Sequence, residues 1–147
     1  MKMTKSRCSL NKRRFYNPMA LGDRNRRGIR RFFRSFYYAF SGLMYVVKNE
    51  QNMQIHLIGG MAVIGAAWYF SVDYVEWLLL ILVIGGVLTV ETINTAIERT
   101  VDLVTEEYHP LAERAKDISA AGVFVFCLFA VVIGLWIFIP YIIALFQ

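Results

Sequence analysis

The chain has 147 residues, 57% of them apolar on a wide count, with a mean hydropathy of +0.46. That length suits one domain rather than two, and the apolar share exceeds the roughly 45–50% of a soluble domain. Sixteen Lys and Arg against eleven Asp and Glu give a charge of +5, and thirteen of the basic residues fall between Lys2 and Lys48. A basic head beside a hydrophobic remainder points to an anionic membrane surface and away from nucleic acid. Two cysteines, Cys8 in the basic head and Cys127 in an apolar run, are too few and too differently placed to suggest a disulfide scaffold or a cysteine metal site.

Residues 1–25 are polar, basic and aperiodic, and are expected to form a disordered cytoplasmic tail. They contain no apolar core of the kind a cleavable signal peptide needs. From about 26 to 48, Phe33, Phe36, Tyr37, Phe40, Leu43, Met44 and Val47 recur at spacings of three and four. Arg27, Arg30, Arg31 and Arg34 crowd the early turns. This pattern predicts an amphipathic helix lying in the membrane interface.

Three apolar stretches follow, and each is long enough to span a bilayer. The first covers about 51–70. A short turn over 71–75 separates it from the second, over about 76–100. A polar cytoplasmic segment at about 101–116 leads to the third, over about 117–142. The expected fold is therefore all-α, with one interfacial helix and three membrane-spanning helices in a 26–147 domain. All sixteen basic residues lie in the N-terminal region or between Arg99 and Lys116. By the positive-inside rule those two regions are cytoplasmic and the C-terminus is outside, in a multi-pass cell-membrane protein. Trp68, Tyr69, Tyr74 and Trp77, with Trp136 and Tyr141, supply the aromatics expected at the outer interface. Gly59-Gly60 and Gly85-Gly86, with Gly65, Ala66 and Ala67, offer small surfaces for close helix packing.

The chemistry concentrates in E-T-I-N-T-A-I-E-R-T-V-D, which begins at Glu91. At about 100° per residue, Glu91, Asn94, Thr95, Glu98 and Asp102 share an arc of roughly 100° on one helix face. A span starting at Trp77 and needing about 20 residues is still inside the membrane at Glu91 and near its surface at Glu98. Carboxylates there cost several kcal/mol unless they are paired, hydrated or metal-bound, and they repel one another unless a cation sits between them. Mg²⁺, which takes hard oxygen ligands from carboxylates and phosphates, suits such a face. The bland alternative is a helix that has already left the membrane and shows a solvated face.

Glu50 follows Asn49 at a helix junction expected at about the depth of Glu98, so the two acids are positioned to share a metal. Lys116 stands before the third apolar run, where it either snorkels to the interface or holds a phosphate as a point charge. His109 taken alone is a loop histidine. The chain contains neither G-x-x-x-x-G-K-[ST] nor G-x-G-x-x-G, so a bound nucleotide has to be held by side chains.

The run from Glu91 to Asp102, followed by E-Y-H and R-A-K-D, resembles the signature of the small bacterial integral-membrane diacylglycerol kinases, a family that includes the undecaprenol kinases of Gram-positive bacteria. The resemblance extends from about Arg31 to Pro140. It implies a homotrimer with active sites between subunits near the cytoplasmic surface, using ATP and Mg²⁺ to phosphorylate a lipid alcohol. By resemblance Glu91 is the catalytic base, and Glu50 and Glu98 hold Mg²⁺. Arg31, Tyr38, Glu107, His109, Lys116 and Asp117 line the nucleotide together with Glu50 and Glu98, while Asn94 and Asp102 support the site. N-E-Q-N-M-Q-I-H, ending at His56, and Y-H-P-L-A look like the Gram-positive branch, which favours undecaprenol over diacylglycerol. A cation or proton conductor is the rival from another class, but no acidic residue stands between Glu91 and Glu76 to carry charge outward. A non-enzymatic scaffold leaves the clustered acids without a reason.

Overall fold

The computed structural model describes residues 28–105 and 107–147. The expected tail at 1–25 and Glu106 lie outside them. Every regular element among the described residues is helical: α1 (Ile29–Asn49), α2 (Gln51–Phe70), α3 (Tyr74–Val104) and α4 (Pro110–Ala144). The chain divides into two units after Ala39, so α1 begins in the first and ends in the second.

In the first unit, α1 carries a run of exposed aromatics, with Phe32 edge-on to Phe36 at 4.9 Å and Tyr37 edge-on to Tyr38 at 5.8 Å. In the second unit, α3 packs against both α2 and α4. The helices α2, α3 and α4, of 20, 31 and 35 residues, are each long and apolar enough to cross a membrane. At 1.5 Å per residue α3 is about 46 Å long, against a hydrocarbon core of about 30 Å. Glu98 and Asp102 fall in its last two turns. Helix covers much of the segment expected as a connecting loop at 101–116, because α3 runs on to Val104 and α4 starts at Pro110. Only the residues between Val104 and Pro110 are left to connect the two helices. Pro110 opens α4 at a position whose N–H needs no intrahelical partner, and His109 caps it, Nδ1 accepting from the Leu111 N–H at 3.2 Å.

At the end away from this connection, Ala67, Val72, Leu80 and Ile137 form a small buried core, flanked by Phe70, Trp77 and Tyr141. Glu76 closes it by accepting from the Asp73 N–H at 2.9 Å and the Tyr141 hydroxyl at 2.6 Å. Most other large apolar side chains of this single chain are exposed. Threonines along α3 spend their hydroxyls on their own helix. Thr89, Thr92 and Thr100 donate at 2.7 Å to the carbonyls of Gly85, Leu88 and Ala96, so these side chains ask nothing of an apolar surround.

Only one glycine of each pair faces a neighbouring helix, since successive residues point about 100° apart. A Cβ at Gly60 would meet Ile84 Cγ2 at 3.1 Å, and one at Gly86 would fall on the Phe126 ring. At Gly59, Gly65 and Gly85 it would meet nothing within 4 Å. Gly86→Val is therefore expected to destabilise the α3–α4 contact by about 1–3 kcal/mol, the usual cost of overpacking. A lowered thermal midpoint in detergent checks it.

Candidate active site

The polar face of α3 meets α2 and α4 at a cleft of about 290 Å³. Glu91, Asn94 and Glu98 line it from α3, and Asn52 and His56 from α2. From α4 come Val123, Phe124 and Cys127. The i, i+3, i+7 spacing of the three α3 residues puts them on one face, as the helical period requires. Glu91 is 2% exposed and Asn94 4%. These two and Thr95 are the buried polar residues among those described, in a chain that otherwise buries apolar side chains.

Asn94 organises the half of this face nearer the α3–α4 connection. Its amide donates to Glu98 Oε1 at 2.9 Å, and its carbonyl oxygen accepts from the Ser119 hydroxyl at 2.6 Å. Ser119 also lies 2.9 Å from the Lys116 carbonyl. One amide thus locks the rotamer of a carboxylate to the first turns of α4. Thr95, also buried, donates to the Glu91 carbonyl at 3.1 Å. The Glu91 carboxylate differs from both. Its Oε2 is buried and has no hydrogen-bond partner among the described residues, and His56 Nε2 stands 4.0 Å away. A buried unpartnered carboxylate oxygen costs about 1–3 kcal/mol or more, and packing alone gives no reason to keep one.

Glu50 sits between α1 and α2, where the chain turns extended for one residue. Arg99 pairs with its Oε1, and the Arg99 guanidinium also lies 6.0 Å from the centre of the Tyr45 ring. Asp102 keeps its place on the arc, because α3 continues to Val104, but its side chain does not enter the first cleft. It is exposed, pairs with Lys116, and borders a second, wider cleft of about 640 Å³. Glu107, Tyr108, His109 and Lys116 also line that cleft. Tyr108 donates to Glu113 at 2.8 Å, which holds its phenol above the ordinary tyrosine range. Asp117 is exposed on α4 and borders neither cleft. Arg31 and Tyr38 belong to the first unit, where the Ser35 hydroxyl bonds the Arg31 carbonyl at 3.0 Å.

The sequence profile of prokaryotic diacylglycerol kinase matches residues 37–138. The undecaprenol kinase of Bacillus subtilis is 41% identical over 116 residues, which cover 79% of this chain and 94% of that protein. A diacylglycerol kinase of Helicobacter pylori is 36% identical over 96 residues, 65% of this chain and 75% of that one. The diacylglycerol kinase of Escherichia coli K12 is 33% identical over 108 residues, 74% and 88%.

The chain belongs to the prokaryotic diacylglycerol kinase family.

As a member of this family it is a membrane lipid kinase, with ATP as phosphoryl donor. Among the described residues, no three His, Cys, Asp or Glu side chains converge as a ready-made metal cage. The donor set still suits Mg²⁺, which is commonly bound by one or two carboxylates together with substrate phosphates. Arg99 and Asn94 each engage the Oε1 of their acid, so the Oε2 of Glu50 and of Glu98 stands outside those bonds. Three neighbours of the site did not emerge from the sequence. Ser119, His56 and Arg99 reach it through contacts between residues 25 to 49 apart in the chain, which periodicity does not reveal. The available signals were slight, namely a serine just inside an apolar run and a histidine interrupting another.

Proposed function

We propose that this chain transfers the γ-phosphoryl group of ATP to undecaprenol at the cytoplasmic boundary of the cell membrane. The observation that carries the reading is Glu91, a buried carboxylate with an unpartnered oxygen, opening onto a cleft between spanning helices. Such a group suits a base that meets a lipid hydroxyl arriving sideways from the bilayer. The choice of undecaprenol rests on the 41% identity to the Bacillus subtilis enzyme across 94% of its length. Diacylglycerol is the second acceptor to consider, since family members at 33–37% identity carry that name.

In this reading Glu91 takes the proton of the alcohol while the alcohol oxygen attacks the γ-phosphorus. A lipid O–P bond forms, the bond from the γ-phosphorus to the β–γ bridging oxygen breaks, and ADP leaves with that oxygen. Phosphoryl transfer of this kind needs positioning and charge neutralisation more than covalent chemistry. Glu50 and Glu98 would hold Mg²⁺, which when bound supplies neutralisation of phosphate charge. Asn94 fixes the Glu98 carboxylate for that purpose.

Lys116 exchanges Asp102 for a phosphate oxygen. An exposed ion pair contributes only about 0–1 kcal/mol, so the exchange costs little. With Nδ1 of His109 engaged by the α4 cap, its neutral ring carries the proton on Nε2, which is left to donate. Glu107 and Asp117 add nucleotide contacts in this proposal, with Asp102 in support, while for Arg31 and Tyr38 of the first unit a nucleotide role rests on the family resemblance alone. The N-terminal part of α1 lies in the membrane interface, and the N-terminus and the 99–116 segment face the cytoplasm. Three chains assemble in this proposal, as the family resemblance implies.

Labelling with γ-³²P-ATP in mixed micelles tests the acceptor. Undecaprenol is expected to be phosphorylated with a higher kcat/KM than diacylglycerol, and the reverse order would transfer the assignment to diacylglycerol. Cross-linking and sizing in detergent check the trimer.

A further inference from the structure

The helix α2 contributes a histidine to the cleft that the mechanism above leaves unused. His56 Nε2 lies 4.0 Å from Glu91 Oε2, the one buried side-chain oxygen or nitrogen among the described residues without a hydrogen bond. The imidazole is more open than its neighbour, 22% against 3% exposed at the side chain. Four angstroms exceeds the roughly 3.2 Å limit of a hydrogen bond, yet a modest rotation of a partly exposed ring closes that gap. Catalytic hydrogen bonds are often long before substrate arrives and tighten in the complex. A base also has to aim one particular oxygen at the proton it removes. A carboxylate with an unheld oxygen is free to turn about its last bond, and Thr95 holds only the Glu91 backbone.

The geometry points to His56 as the residue that orients Glu91, its Nε2–H donating to Glu91 Oε2 so that the other oxygen faces the alcohol. This rests on Glu91 being the base. His56 acts through Glu91 and is therefore a positioning residue. The neutral tautomer protonated on Nε2 suffices for this role, so no proton changes hands at His56. Asn52 and Cys127 border the same cleft without bonding Oε2, and Glu98 and Asn94 are bonded to each other, whereas the His56 nitrogen stands 4.0 Å from Oε2.

The test compares His56→Ala, His56→Gln, Glu91→Gln and the His56→Ala/Glu91→Gln double variant of the full chain, with undecaprenol and MgATP. His56→Ala is expected to lower kcat by about 10–100-fold, the range for losing a residue that orients a functional group. Its KM for ATP should stay near the wild-type value. His56→Gln keeps an N–H donor and should recover most of the rate. The double variant should be no slower than Glu91→Gln alone. Imidazole ¹⁵N resonances of His56 should shift in Glu91→Gln, a readout independent of activity and of the folding of His56→Ala. A Gln variant as slow as the Ala variant overturns the proposal, as does full additivity in the double variant or an unmoved resonance. Each of these leaves Glu91 as the base, whereas a fully active Glu91→Gln removes the base itself.

Discussion

Glu91→Gln is expected to cut turnover at least about a hundredfold while leaving the affinity for ATP unchanged. That factor corresponds to about 2.7 kcal/mol of transition-state stabilisation. Glutamine keeps the size and one acceptor oxygen, so the cleft retains its shape, but the amide does not accept the alcohol's proton. Binding should survive because Glu91 lies seven residues, or about 10 Å along the axis, from Glu98. Stability should move the other way. Wild-type Glu91 keeps Oε2 buried without a partner, and replacing such a group by an apolar side chain of similar volume is neutral or stabilising. Glu91→Met should therefore unfold at a temperature equal to or above wild type while being inactive. Kinetics in mixed micelles and thermal melts in the same detergent give both readings. A Glu91→Gln enzyme with near-normal turnover would show that the carboxylate is not the base.

This opposition between stability and activity is what makes the site legible in the sequence at all. An acidic residue at Glu91, inside an apolar run, has no packing rationale, and the helical period alone groups it with Asn94 and Glu98. Both inferences need one helix and no knowledge of its neighbours, and the structure brings those three side chains to a single cleft. The three spanning helices were equally accessible, because an apolar run of sufficient length has few other outcomes. Contacts across helices were less accessible. Asp102 falls on the Glu91 arc by arithmetic, yet it turns to Lys116, because α4 starts at Pro110 and brings that cation alongside. Glu50 was readable as a boundary acid, but its pairing with Arg99 depends on how closely α2 approaches α3. Gly85 and Gly86 are indistinguishable as letters, and only the facing helix makes Gly86 the one that needs to lack a Cβ.

Glu98→Gln should fail differently from Glu91→Gln, and the contrast separates nucleotide handling from proton abstraction. The substitution keeps a side-chain oxygen that can accept from Asn94, so the local geometry survives. It removes a full negative charge from the pair proposed to hold Mg²⁺. The Mg²⁺ concentration for half-maximal rate should rise by at least about tenfold, and kcat/KM for MgATP should fall by about 100–1,000-fold. Asn94→Ala should reproduce a milder form, because it frees Glu98 and leaves Ser119 without its 2.6 Å acceptor while the charge remains. A rise of about tenfold, restored by excess Mg²⁺, is expected there. Titrating rate against Mg²⁺ at fixed ATP distinguishes the outcomes. A Glu98→Gln enzyme with an unchanged Mg²⁺ requirement would mean that the phosphates and Glu50 hold the ion without Glu98. The Asn94–Glu98 bond would then serve the join between α3 and α4 rather than the reaction. That alternative has its own signature, since Asn94→Ala, which breaks the bond, would then melt earlier, Glu98→Gln, which keeps it, would not, and neither would respond to added metal.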